Sequence, residues 1–226
     1  MTDPTAQPPA SRPRALTAVL VAVIAVGLLV AGGGLAVVAG IGRTDTPSAD
    51  SVDAGFSRDM SRHHLQAVEM ANLAMTTSSD TEVRRLAFDI SATQTNQAGR
   101  MQGWLALWGL PLTSGAVMGW MDDGAMAGMD HGHDADADGA VMPGMATEAE
   151  LTELRSLTGT AFDVRFLQLM LRHHQGGLEM AQYGQQHAAE DAVRSLARSI
   201  VQSQTAEGTT MEQMLRDRGG SPLPAP

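Results

Sequence analysis

Phe56–Ala71 reads FSRDMSRHHLQAVEMA, and Phe166–Ala181 reads FLQLMLRHHQGGLEMA. The same phrase occurs twice at an offset of 110 residues, and each copy sets two adjacent histidines between methionines. The repeat extends beyond the phrase. Asp53 matches Asp163 upstream, and Val83, Leu86, Ile90, Gln94, Met101 and Leu105 match Val193, Leu196, Ile200, Gln204, Met211 and Leu215 downstream, with no gap. Each copy therefore spans two apolar-periodic segments joined by a short polar turn, which is a helical hairpin. One such hairpin leaves an apolar stripe exposed. Two bury their stripes against each other, so the expected fold is all-α, a four-helix bundle made of two repeated hairpins.

A helical wheel at about 100° per residue sorts the side chains. Asp53, Phe56, Met60, His63, His64, Ala67 and Met70 share one arc about 120° wide. Arg58, Arg62 and Glu69 fall on the opposite side, as do Arg172 and Glu179 in the second copy. The histidines and methionines are thus expected to face the core, with Arg62/Glu69 and Arg172/Glu179 forming a solvated face. The partner helices interrupt their apolar stripes with Gln94 and Gln97, and with Gln204 and Glu207. A buried amide or carboxylate needs a hydrogen-bond partner. We expect these four, with Asp53 and Asp163, to orient the histidines from behind.

The two hairpins are separated by VMGWMDDGAMAGMDHGHDADADGAVMPGM, Val117–Met145. It carries three Met-x-x-Met pairs: Met118 with Met121, Met126 with Met129, and Met142 with Met145. His131 and His133 lie among its many aspartates. A Gly- and Asp-rich segment is poorly suited to burying methionine, so these thioethers are expected to act as ligands rather than as core. Thioether suits Cu(I), with Ag(I) as its surrogate, and imidazole also suits Cu(II).

The chain has 226 residues, no cysteine, 15 methionines and a net charge of −10. Disulfides and thiolate metal sites are excluded, and the acidity disfavours nucleic acid as a partner while suiting cations. The opening of the chain is of another kind. Arg12 and Arg14 precede an apolar run from Ala15 to Ile41. That is longer than the apolar core of a cleavable signal and long enough to span a bilayer. The expected organisation is a cytoplasmic tail at 1–14, a transmembrane anchor or long signal at 15–42 and a linker at 43–52. Hairpins follow at 53–111 and 147–218, separated by the loop 112–146, with a disordered tail at 219–226. The positive flank keeps the start inside, so the bundle is expected outside the cytoplasm on a single-pass anchor, or secreted if Val37-Val38-Ala39 is cleaved. Locally, Thr81 is expected to cap the second helix, Gly109 and Pro111 to end it, Thr147–Glu150 to form a capping box, and Gly159 to precede a long helix from Thr160.

The doubled phrases resemble the domain-of-unknown-function 305 (DUF305) family over about residues 50–218. That resemblance implies a ferritin-like four-helix bundle and, since some members are linked to copper tolerance, a copper-handling role. The positions that match its motif are Met60, His63, His64, Met70, Met170, His173, His174 and Met180. The second copy departs at Gly176-Gly177, where the family more often has Gly-Ala, and this is expected to leave space beside His173. Together these readings predict a non-enzymatic protein outside the cytoplasm that sequesters Cu(I), and also Cu(II). Two rivals stay open: an interaction module with a buried histidine network, its protein partner unknown, and a ferritin-like metal oxidase. Carboxylate-bridged di-metal enzymes use Glu-x-x-His on facing helices, and this chain has no such motif.

Overall fold

The computed structural model describes residues 13–38, 46–113, 116–121 and 141–224. They divide into two compact units, 1–46 and 47–226. In the first, α1 runs over Pro13–Val38. Its stretch Leu16–Leu35 is long and apolar enough to cross a membrane, and its side chains are exposed.

The second unit is all-helical among the described residues. Its elements are α2 (Val52–Thr77), α3 (Thr81–Leu107), α4 (Glu148–Ser156), α5 (Gly159–His187) and α6 (Asp191–Asp217). The long helices form two hairpins, α2 on α3 and α5 on α6, which meet where α2 packs against α5. The result is the expected bundle, with α4 resting on α5. Local chemistry sets the helix ends. Ser51 Oγ accepts from Ala54 N at the start of α2. Asp80, rather than Thr81, caps α3: its carboxylate accepts from the amides of Glu82 and Val83. An anion at this position also meets the positive end of the helix dipole, which a threonine hydroxyl does not match. Gly109 closes α3 at φ 69°, and Leu110 N returns to Leu105 O at 2.8 Å, the usual left-handed helix stop. Thr147 and Glu150 bond each other's backbone amides in a capping box that opens α4. Gly159 is itself the first residue of α5.

The core lies in two apolar clusters. One gathers Met70, Ala74, Ile90, Phe162, Phe166, Met170 and Met211. The other gathers Phe56, Met60, Met101, Trp120, Met180 and Ile200. On α2 and α5 the residues between these clusters are those that carry the histidine pairs. The loop methionines correct the sequence expectation. Met118, Met121, Met142 and Met145 are buried in the second cluster beside Met60 and Met180. Two anchors make that burial affordable for a polar loop. Asp59 accepts from Met118 N and from Trp120 Nε1, both at 2.8 Å. Trp120 then stacks edge-on against Phe56 and Tyr183.

The charged face also differs from expectation. Arg62 and Glu69 are exposed, but Arg58 is buried, its guanidinium reaching the Ala49 carbonyl in the segment that precedes α2. Glu69 pairs with Arg155 of α4 at 2.5 Å. Arg172 meets both oxygens of Glu150, at 3.0 and 2.5 Å. Glu69 and Arg172 pair with α4, an element that a wheel drawn on one helix cannot include. The tail past α6 is packed where disorder was expected: Gln168 donates to Ser221 O at 2.8 Å, and Leu223 lies on the first cluster.

A Cβ added at Gly55 would stand 2.3 Å from the Trp120 ring, whereas one added at Gly99 meets nothing within 4 Å. Gly55→Ala is therefore expected to lower stability by about 1–3 kcal/mol through overpacking. Gly99→Ala, inside α3, should raise it by about 0.5–1 kcal/mol. Chemical denaturation of the two variants against the parent chain measures both effects.

Candidate metal centre

The 3.6-residue period that puts Phe56, Met60 and Ala67 inward also puts His63 and His64 inward on α2. The repeat does the same for His173 and His174 on α5. All four imidazoles are buried, to within 2 % exposure. Because α2 and α5 cross at this level, His63 and His173 stack with ring centroids 3.8 Å apart and planes inclined by 37°. The outer pair is held from behind by the partner helices. His64 Nε2 donates to Gln97 Oε1 at 2.8 Å, and His174 Nε2 donates to Glu207 Oε2 at 2.7 Å. These contacts are equivalent under the repeat, with an amide in one copy and a carboxylate in the other. His63 Nε2 donates to the Pro143 carbonyl at 3.1 Å.

The opposite nitrogens are bare. Nδ1 of all four histidines, and Nε2 of His173, have no hydrogen-bond partner among the described residues. Leaving such an atom unpaired in a core costs roughly 1–3 kcal/mol, and a native fold seldom keeps several without a use for them. Burial, reinforced by like charge from neighbouring imidazoles, holds the rings of His63, His64 and His173 neutral. It pushes His63 down to about 4, even against its bond to Pro143. It pushes His64 down to about 3 and His173 well below its ordinary range. A neutral imidazole with a free lone pair is a metal ligand.

The residues expected to support the histidines divide. Gln97 and Glu207 do so. Gln94 and Gln204 are buried nearby, but neither their amide nitrogens nor their oxygens have partners among the described residues. They sit one helical turn before Gln97 and Glu207, and Gln204 lies against Gly177. Asp53 serves another element: it accepts from the amides of Ala189 and Glu190 at 3.0 and 2.8 Å, where the chain turns into α6. It precedes His63 by almost three helical turns, too far along α2 to reach the ring. Asp163 is buried with Oδ1 unpartnered among the described residues and lies equally far from His173 along α5. The space at Gly177 opens toward His63, whose Cε1 would be 3.0 Å from an added Cβ, rather than toward His173. An antiparallel crossing sets each residue opposite one on the other helix, not beside its own neighbour.

Met60, Met70, Met170 and Met180 are fully buried within one or two turns of the histidines, Met60 with Met180 in one cluster and Met70 with Met170 in the other. Met118, Met121, Met142 and Met145 join Met60 and Met180. Met126, Met129, His131 and His133 lie outside the described residues. No three His, Asp or Glu side chains among the described residues are grouped to hold one ion. The donor set is instead imidazole with thioether, which suits soft cations. Sequence reasoning missed Asp59 and Pro143. Burial pushes the Asp59 carboxyl up, against its bonds to Met118 and Trp120. The Pro143-Gly144 pair marks a turn, but nothing local says that its carbonyl meets His63.

Comparison with known proteins is consistent with this architecture. The profile of DUF305, described as a domain of unknown function, matches residues 53–215. A DUF305 protein of Streptomyces coelicolor, described as a candidate secreted protein, is 44% identical with a TM-score of 0.68, over 78% of this chain and 99% of its own. A DUF305 fragment from Deinococcus radiodurans is 31% identical with a TM-score of 0.58, over 74% of this chain and 96% of its own. CopM in its Cu(II)-bound form is 26% identical with a TM-score of 0.56, over 74% of this chain and 97% of its own. CopM has also been solved with Cu(I) and with silver bound. No curated protein matches the chain.

The buried imidazoles make stability depend on pH in a defined direction. His63, His64 and His173 are depressed in the fold, while unfolded histidine titrates near 6.5. Their contribution is complete above that value and is lost as pH falls through it toward about 4, because the unfolded chain takes up protons that the fold refuses. With metal chelated, the denaturation midpoint should be flat from pH 8 to 7 and fall from 6.5 to 4.5. Each group adds up to about 1.4 kcal/mol per pH unit. His64→Gln should flatten the slope, which denaturant titrations at stepped pH will show.

Proposed function

From the chain's place in the DUF305 family, to which it belongs, we propose that it is a copper-binding protein of the extracytoplasmic space. It sequesters Cu(I), and Cu(II) as well, and does not turn over a substrate. The observation that carries this reading is the stacked pair His63 and His173, with bare ring nitrogens in a methionine-rich core. Neutral imidazole and thioether together suit copper. The likeness to CopM, whose solved forms carry Cu(II), Cu(I) and silver, points the same way. The apolar stretch Leu16–Leu35 supports export, as an anchor or as a signal. On this reading Met126, Met129, His131 and His133 add further sites to the buried one.

The test is an anaerobic Cu(I) titration of the full chain in detergent against a competing chelator. A variant with His63, His64, His173 and His174 changed to Gln, and one lacking 122–140, are titrated beside it. The tightest site is expected to be lost in the first and kept in the second, which gives up only additional ions. Micromolar or weaker affinity in the parent chain overturns the proposal. So does a melting temperature that ignores Cu(I) and Ag(I), since a ligand of the folded state must raise it. That last result would favour an interaction module with a purely structural histidine network.

A further inference from the structure

We propose that Pro143, Gln97 and Glu207 lock His63, His64 and His174 as Nε2–H tautomers, leaving Nδ1 as the metal-facing atom of each ring. Pro143 is carried to His63 by a strap seated against Gly176. That Nδ1 meets a metal rests on the copper reading above; the tautomers do not.

The tautomers follow from acceptor chemistry. A backbone carbonyl, an amide oxygen and a carboxylate oxygen all accept and do not donate. They face His63 Nε2, His64 Nε2 and His174 Nε2 at 3.1, 2.8 and 2.7 Å. Each of these nitrogens must therefore carry the proton, and a neutral ring then has its lone pair on Nδ1. Those three Nδ1 atoms are buried and have no partner among the described residues. Histidines that hold metals commonly donate their other N–H to a carbonyl or carboxylate, which fixes the ring and raises its basicity. The arrangement here has that form with the outer nitrogen already committed. His173 has no acceptor at either nitrogen among the described residues and stacks on His63 instead.

Pro143 acts through His63 and is a positioning residue. It stands in a strap, Val141–Thr147, pinned on two sides. Gln66 brackets Ala146, donating to its carbonyl at 2.9 Å and accepting from its amide at 2.8 Å. Gly176 opens the notch: a Cβ there would lie 2.1 Å from the Pro143 oxygen and 2.3 Å from its carbonyl carbon. The equivalent residue in the first repeat is Gln66, so only one side of the bundle accepts a strap. The segment between the repeats is thereby tied to one imidazole.

The experiment is long-range proton–nitrogen NMR of the full chain in detergent, labelled with 15N-histidine, at pH 7.5, first without metal and then with Ag(I). In the metal-free spectrum His63, His64 and His174 should each show a protonated Nε2 and a lone-pair Nδ1. Ag(I) should move the Nδ1 resonances and spare Nε2. Gly176→Ala should unseat the strap and leave His63 averaging between tautomers, while His64 and His174 keep theirs. Gln97→Leu should do the same to His64 alone, and it serves if the glycine variant does not fold. An Nδ1–H tautomer at any of the three rings, a metal that moves Nε2, or an unchanged His63 in Gly176→Ala overturns the inference. The expected tautomers with no response to Ag(I) would sustain the tautomer assignment and sink the copper reading, and with it the metal-facing role of Nδ1.

Discussion

Four imidazoles withdrawn from water at one level of a helical bundle constrain everything else in this domain. A buried polar ring must be held or it destabilises the fold. The two long helices that carry the rings cannot slide past each other without breaking the His63–His173 stack. The partner helices must present Gln97 and Glu207 at the matching height. The apolar clusters on either side then do the ordinary work of stability, with Phe56, Met60 and Met180 in one and Phe166, Met70 and Met170 in the other. Methionine suits this role, because a flexible thioether fills irregular space around rigid rings.

Much of this was legible in the chain because it is written twice. One copy of Phe-x-x-x-Met-x-x-His-His is a helix with polar residues on its inner face; two copies with matched partners require two hairpins and one shared core. The inward set, Met60, His63, His64, Met70 and their counterparts, follows from helical period alone. What escaped is whatever depends on contacts across elements. The loop methionines looked unfit for burial because the anchoring pair, Asp59 with the Met118 amide, lies 59 residues apart. Asp53 looked like a support for histidine because its wheel angle is right, but an angle says nothing of height along the axis. Gln94 passed the same angular test, yet neither atom of its buried amide has a partner among the described residues.

The two copies have diverged where they touch the inserted segment. Gln66 and Ala67 of the first stand where the second has Gly176 and Gly177. The first copy uses an amide side chain to clasp the strap, and the second clears room for it. The other exchange, Gln97 for Glu207, places a carboxylate behind His174 and a neutral amide behind His64. The two halves thus share geometry but differ in the group that stands behind the ring.

Asp53 belongs to the first hairpin and closes the turn into the last helix of the second. Arg218, at the far end of that helix, returns to Asp80 in the first hairpin's turn at 2.5 Å. Each repeat is therefore finished off by the other. The two-fold relation between them is that of an isologous dimer, and a lone hairpin would have had to pair with its twin to cover its histidines. The present chain has the form of such a homodimer joined into one chain, with the insert as the joint. Within one chain the equivalent positions need not match, so the seam carries Gln66 on one side and Gly176 on the other.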